Sequence, residues 1–371
     1  MIILDNRPRF QIEEEPGCFF VANRWLPIKG ESTKRTRRRK KSMGTGKTIR
    51  TRQQGLRIAI MGQAAFGAKV LETLSDRGEE IIAAWLPQGK AGGKPDPLKT
   101  AADGRGIPAF QPDSYRTPET LEAFRSTNPD LLIMAFVTDI IPSSFLGVPT
   151  QGTICYHPSI LPRHRGGSAI NWAVIMGDRE TGLSIFWADA GIDTGPVLLR
   201  KRVPVGPEDT TGALYFNRLF PLGVEAIVES VGLIKEGRAP RMVQDEGAAT
   251  YEPLCNDQVA RIDWEKPAAE VHNLIRGCDP QPGAYSFYRG KKVRFFETRL
   301  VPTGRPDARP GEVLASDEGG FTVAARCGAL RIGKVRTDAG KQDAIVFAVE
   351  SGLKSGETFT AESQERGQGH P

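Results

Sequence analysis

The chain has no apolar run fit to cross a bilayer: the longest obvious one, Leu131 to Val137, falls well short of the roughly eighteen residues a spanning helix needs. Functions that require membrane-spanning helices are set aside on that ground. The basic, apolar and small-residue succession of a secretory signal is missing too, because Met1 to Asn6 is short and Glu13, Glu14 and Glu15 soon follow. Cysteine is scarce, with Cys18, Cys155, Cys255, Cys278 and Cys327 dispersed, odd in number and without a CxxC pair. Neither a zinc site nor a disulfide framework is expected, and cytoplasmic free thiols are the simplest account. The first Gly-bounded segment reads GQAAFG rather than GxGxxG, and the second predicted strand ends Ala84-Trp85-Leu86 with no acidic residue, which argues against NAD or another dinucleotide. Gly44 to Thr48 reads GTGKT, but the first glycine of a phosphate loop would fall on Lys41 and no strand precedes it.

What is present is ordinary globular material, 39% hydrophobic and 25% charged over 371 residues, enough for two or three domains. The net charge of +6 is misleading, because residues 1–54 hold 14 Lys and Arg against 5 Asp and Glu. The remainder is slightly acidic. The densest basic stretch, Lys34 to Lys41, has few apolar residues and predicts a solvated, disordered leader rather than a folded part.

From Leu56 the pattern alternates. Strands are predicted at Leu56 to Met61, Ile81 to Leu86, Leu131 to Val137 and Ile154 to Tyr156, helices at Ala68 to Ser75 and Pro118 to Ser126, and a turn at Gly62 to Gly67. That alternation predicts an α/β domain over residues 55–253 with a Rossmann-like parallel sheet and ligands at the carboxyl ends of its strands. After a polar connector from Pro240 to Pro253, short alternating runs at Lys291 to Arg299, Gly311 to Ala315, Gly320 to Ala325 and Ala329 to Val335 predict a small β-barrel-like domain over 254–350. Residues 351–371 are polar and Gly-rich and read as a frayed tail.

The most informative stretch runs from Thr153 to Leu199. His157 closes an apolar strand and is followed by two prolines bracketing Ser159, Ile160 and Leu161, so its imidazole is expected at a strand exit. A second apolar run, Gly182 to Ala188, leads into a turn in which Gly191 and Gly195 permit the tight backbone that would carry Asp193 back toward His157. A histidine and a carboxylate so placed can move protons at a carbonyl. His164 has no metal-ligand spacing to His157 and is expected at the surface or in a structural role; no metal is expected.

The wording YHPSILPRHRG, SAINW and SIFWADAGIDTG resembles the folate-dependent formyltransferase family, whose members carry a His followed by SLLPxxRG and an Asp in a GxDTG turn. It is most similar to the hydrolase branch found in 10-formyltetrahydrofolate dehydrogenases, and more distantly to the branch that formylates methionyl-tRNA. The resemblance spans Leu56 to Val349, and IDWEKPAAEVHNLIRGCDPQPGAY resembles the start of the family's OB-like C-terminal domain. It implies that His157 and Asp193 are catalytic and that 10-formyltetrahydrofolate is the formyl donor. It also implies folate contacts at Asp139, Ile140 and Ile141, and at Ser159, Ile160, Leu161 and Pro162. Most of the family has a catalytic Asn two residues before the His; here that position is Cys155, a weaker donor or simply a buried small residue.

A formyl group on a tetrahydrofolate nitrogen is an amide-like carbonyl, so its transfer needs an attacking nucleophile, an oxyanion donor and a proton carrier. His157 suits the second role, where one well-aimed donor contributes on the order of 3 kcal/mol, and Asp193 the third. Arg163 and Arg165 are candidates to meet an anionic substrate group. The acceptor stays open between water or a small amine, methionyl-tRNA, and an amino sugar; a degenerate binding protein is disfavoured by the intact His157 and Asp193. Two-domain length and Lys90 and Lys94 speak for tRNA, but Leu254 to Glu350 holds 15 Lys and Arg against 13 Asp and Glu, a meagre footprint for a polyanion.

Overall fold

A computed structural model describes residues 55–89, 92–302, 305 and 307–360, and the basic leader lies outside that range. The described residues form one compact unit built on two sheets. In chain order the first sheet is assembled from β1 (Arg57–Gly62), α1 (Ala64–Asp76), β2 (Glu80–Trp85), α2 (Pro97–Asp103), β3 (Ala109–Phe110), α3 (Pro118–Ser126), β4 (Leu131–Ala135), α4 (Ser143–Leu146), β5 (Gly152–His157), α5 (Ala169–Ile175), β6 (Glu180–Trp187) and β7 (Val197–Pro204). Then α6 (Thr211–Leu214) and α7 (Phe220–Lys235) follow. The strand order is β3-β2-β1-β4-β5-β6-β7.

The Rossmann-like sheet is parallel through β5. Both β6 and β7 then run antiparallel, so the sheet is mixed rather than parallel throughout. Parallel strands covered on both faces read as continuous apolar runs, and β4 is buried at every position. The expected turn at Gly62 to Gly67 is corrected, because α1 begins at Ala64. Its first amide donates to both carboxylate oxygens of Asp96, 3.0 and 2.9 Å away, and Asp96 also caps α2 through Leu98. A remote side chain thus does the work of a local start signal. Gly62 is fixed by close approach: a Cβ there would stand 2.0 Å from the Ala135 carbonyl oxygen on β4.

The second sheet is antiparallel, made of β8 (Tyr285–Tyr288), β9 (Lys291–Val301), β10 (Val313–Asp317), β11 (Gly320–Ala325), β12 (Gly328–Thr337) and β13 (Gly340–Asp343), in the order β10-β11-β12-β9-β8 with β13 on β12. α8 (Ala268–Gly277) and α9 (Ala344–Ser351) pack on it around a core that includes Trp264, Phe295 and Phe321. Residues 353–360 correct the expectation of a tail starting at Ser351. Leu353 and Phe359 are buried in this core, and main-chain bonds join Val313 to Glu357 and Gly356 on one edge and Phe287 to Thr360 on the other. The segment stitches the two open edges together into a barrel-like closure, which removes exposed edge strands. α8 lies against α5, where the Asn171 amide donates to the Gly277 carbonyl at 2.8 Å. Among the described residues no helix is long and apolar enough to cross a membrane.

Candidate active site

His157 is the last residue of β5 and is almost fully buried. β6 ends with Trp187 beside Ile154, three residues short of His157 in the ladder, so the β6–β7 connection must fold back for Asp193 to reach the imidazole. It does: Asp193 Oδ2 lies 3.5 Å from His157 Nδ1. Asp193 sits at φ +57°, a conformation that short polar side chains tolerate better than most. Gly195 allows the fold-back, because a Cβ there would stand 1.8 Å from the Trp187 carbonyl oxygen. The Gln244 amide donates to the carbonyls of Asp193 at 2.8 Å and Gly195 at 2.7 Å, and the Gly166 amide donates to Asp193 Oδ2 at 2.8 Å.

The other imidazole nitrogen is already committed. His157 Nε2 lies 2.8 Å from the His164 carbonyl oxygen, which can only accept, so Nε2 carries a proton. Nδ1 is then the nitrogen that faces Asp193, and their approach is favourable when a proton lies between them. One nitrogen is held by the backbone, and the other is left for Asp193. Cys155 is part-buried two residues earlier, its thiol donating to the Tyr156 carbonyl at 3.6 Å. Burial, reinforced by the charge of Asp193, pushes this thiol well above its ordinary value, so it stays protonated and makes a weak neutral donor.

The expected folate residues divide. Asp139 and Ile140, in the loop after β4, are exposed and edge a cleft of about 250 Å³ whose other walls include Pro87, Gln88, Asp113 and Tyr115. Those walls follow β2, β3 and β4, so the cleft and His157 share the carboxyl edge of the sheet, where open α/β sheets bind ligands. Ile141 is buried in the core behind the loop. Ser159 and Leu161 are spent internally: Ser159 Oγ donates to the Arg163 carbonyl at 2.6 Å, and Leu161 packs with Phe186 and Val197 before the cis bond to Pro162. Ile160 lies over Gly182 on β6.

Tyr115 and Phe136 escaped the sequence reading. The buried Tyr115 hydroxyl has no hydrogen-bond partner among the described residues, and burial, then the charge of Asp139, pushes its pKa up, so it remains a donor available at the cleft. Phe136 leaves β4 at φ +65° with its ring half exposed, a strained geometry whose only forewarning was its place after a buried strand.

The arginine expectation is corrected for Arg165, which is fully buried and spends its guanidinium on Glu246, Tyr251 and Gln244. It anchors the connector over the site. Arg163 pairs with Asp178 at 3.0 Å and keeps about half of its side chain in solvent. His164 is buried, with Asp178 at 2.9 Å and Glu252 at 3.3 Å, the structural one of the two roles expected for it. Burial works to raise the Asp178 carboxyl, but the His164 hydrogen bond and the Arg163 charge outweigh it and hold that pKa below its ordinary value. No group of three or more His, Cys, Asp or Glu among the described residues is placed to hold a metal.

Sequence comparison decides the family. The formyl transferase model matches residues 56–231, and the model of the formyl transferase C-terminal domain matches residues 256–346. Methionyl-tRNA formyltransferase of Geotalea uraniireducens is 36% identical over 293 residues, covering 78% of this chain and 92% of that protein. The chain belongs to the formyl transferase family. Mitochondrial 10-formyltetrahydrofolate dehydrogenase of Homo sapiens is 43% identical over 273 residues, 72% of this chain but only 30% of that protein, so the chain spans less than a third of the dehydrogenases it matches. Among solved structures, the HypX protein of Aquifex aeolicus in complex with tetrahydrofolic acid superposes with a TM-score of 0.59 at 22% identity, covering 83% of this chain and 51% of that one. The sugar 3N-formyltransferase WlaRD superposes with a TM-score of 0.57 at 17% identity, covering 75% and 97%. These last two establish a shared formyltransferase fold.

Proposed function

We propose that this formyltransferase takes the formyl group from 10-formyltetrahydrofolate and passes it to water or a small amine, with residues 55–253 as the catalytic domain. The observation that carries the reading is the His157–Asp193 pair at the edge where the cleft opens. The pterin would enter between the Asp139 and Ile140 loop and Pro87 and Gln88, a slot edged largely by polar side chains, among them Asp113, Ser114 and Arg116, with the unpartnered Tyr115 hydroxyl as a further polar group. Attack on the formyl carbon puts negative charge on its oxygen. In this reading the imidazole carries a proton on both nitrogens: the Nδ1 proton stabilises that charge while Asp193, freed of it, accepts the proton of the attacking amine or water. The proton then passes to the departing tetrahydrofolate nitrogen. Cys155 supplies less to the oxyanion than an amide would, which slows transfer and favours water as acceptor.

A second reading is formyl transfer to methionyl-tRNA, supported by alignment over both lobes of the Geotalea uraniireducens enzyme. Lys94 is exposed for such a contact, while Lys90 lies outside the described residues. Purified protein incubated with 10-formyltetrahydrofolate alone, then with added methionyl-tRNA, separates the two. Tetrahydrofolate and formate released in equal amounts without tRNA support the first reading, and tetrahydrofolate released only with formyl-methionyl-tRNA supports the second. No tetrahydrofolate under either condition removes both water and methionyl-tRNA as acceptors, and no tetrahydrofolate when small amines are supplied as well removes the first reading entirely.

A further inference from the structure

The connector between the two sheets brings together two cysteines that formyl chemistry does not use. Cys255, partly exposed just after Pro253, has its sulfur 3.6 Å from that of Cys278, which is fully buried at the end of α8. Both are free thiols in van der Waals contact, and closing to the bond length of about 2.05 Å of a disulfide draws the Cys255 segment toward Cys278. Their surroundings differ in a useful way. The two sulfurs share one hydrogen bond, which lowers the pKa of Cys255, while Cys278 is held far above its own ordinary value by that bond and by burial. The reachable sulfur is thus the better thiolate, and the screened one keeps its proton.

We propose that Cys255 and Cys278 are a redox-active dithiol, with Cys255 attacking a peroxide and Cys278 resolving the product into a disulfide across the seam between the lobes. The Cys255 thiolate attacks one peroxide oxygen, the O–O bond breaks, and the departing hydroxide or alkoxide takes up a proton, leaving a sulfenic acid. The Cys278 sulfur then attacks Cys255 sulfur, the S–O bond breaks, and the thiol proton leaves with the hydroxide as water. The dithiol gives up two electrons and the peroxide takes them.

The disulfide bears on the active site through the backbone. The Cys255 amide donates to Ser168 Oγ at 3.0 Å, and Leu254 lies so close over Gly167 that a Cβ there would come within 2.8 Å of its side chain. The neighbouring Gly166 amide holds the Asp193 carboxylate. Drawing Cys255 onto Cys278 therefore shifts the segment that sets Asp193. This coupling rests on the folate reading; the dithiol itself does not.

The test is a titration of the reduced full chain with hydrogen peroxide, followed by alkylation in denaturant and peptide mapping without reductant. Cys255 and Cys278 are expected to lose alkylation in step and to reappear as one linked pair of peptides, reversed by dithiothreitol, while Cys155 stays alkylatable. In Cys278→Ser, Cys255 halts as a sulfenic acid captured by dimedone; in Cys255→Ser, oxidation of Cys278 slows about tenfold or more. A linked pair that never forms in the wild type, or Cys278 oxidising unchanged in Cys255→Ser, overturns the proposal. Formyl release by the oxidised protein should fall severalfold and recover with reductant, and unchanged release from protein carrying the linked pair overturns the coupling. If the reduced protein releases no formyl group, the folate reading fails, and the peptide map still decides the dithiol.

Discussion

At the scale of single residues, the imidazole of His157 has divided duties. Its Nε2 is tied to the His164 carbonyl and its Nδ1 faces Asp193, so removing either member of the pair leaves the other without a proton to share. His157→Ala and Asp193→Ala are each expected to lower formyl turnover at least about a hundredfold, the loss of one aimed donor or base, with the far-ultraviolet circular dichroism unchanged. Turnover within about threefold of wild type would take that residue out of the mechanism. Cys155→Asn restores an amide donor where the thiol stays protonated. It should raise transfer to an amine, or the ratio of transfer to hydrolysis, by about tenfold; equal rates in both reactions would leave Cys155 a packing residue.

At the scale of elements, the decisive one is the β6–β7 connection. It is long, it starts at the wrong end of the ladder for its task, and it reaches His157 because Gly195 passes close to the Trp187 carbonyl and Gln244 bonds two of its carbonyls. Gly195→Ala places a methyl against backbone that has no easy retreat. A cost of about 2 kcal/mol is expected in urea unfolding, together with a fall in turnover as Asp193 moves from the imidazole. A variant as stable and as active as wild type would show that the fold-back does not depend on that close approach. Much of the element pattern was legible beforehand: Pro118–Ser126 and Gly320–Ala325 fall where periodicity and punctuation put them. The antiparallel run of β6 and β7 was not, because strand direction leaves no mark on a short apolar run. Nor was the start of α1, whose first amide is capped by Asp96 from another element.

At the scale of the whole molecule, the seam between the two sheets carries a buried histidine. His272, on α8, has Nδ1 2.8 Å from Thr298 Oγ1 and Nε2 3.2 Å from the Pro207 carbonyl oxygen. Burial, helped by the charge of Arg276, lowers its pKa below the ordinary 6.5, against the raising pull of the Pro207 carbonyl and Glu208. A histidine depressed in the folded state takes up its proton more readily when unfolded, so its contribution is unfavourable below the unfolded value and vanishes above it. Stability is therefore expected to fall as pH drops from about 7 through 6 and to level off below the folded value. Thermal melts of the wild type and of His272→Gln across that range check this: the variant should lose the slope between about pH 6 and 7, and an identical slope in both would assign it to other groups.

Sequence alone determined the apolar strands, the catalytic candidates and the family, because buried runs, prolines, glycines and the spacing of His157 and Asp193 are local features of the chain. Tertiary structure decided what each polar side chain was free to do. Arg165 looked available for an anion and is spent on Glu246, Tyr251 and Gln244; the polar segment before Thr360 looked frayed and closes a barrel. Cys255 and Cys278 stand far apart in the chain and meet at their sulfurs. A side chain's chemistry is written in its residue type, but its availability depends on partners brought from distant positions by packing, and no local pattern records them.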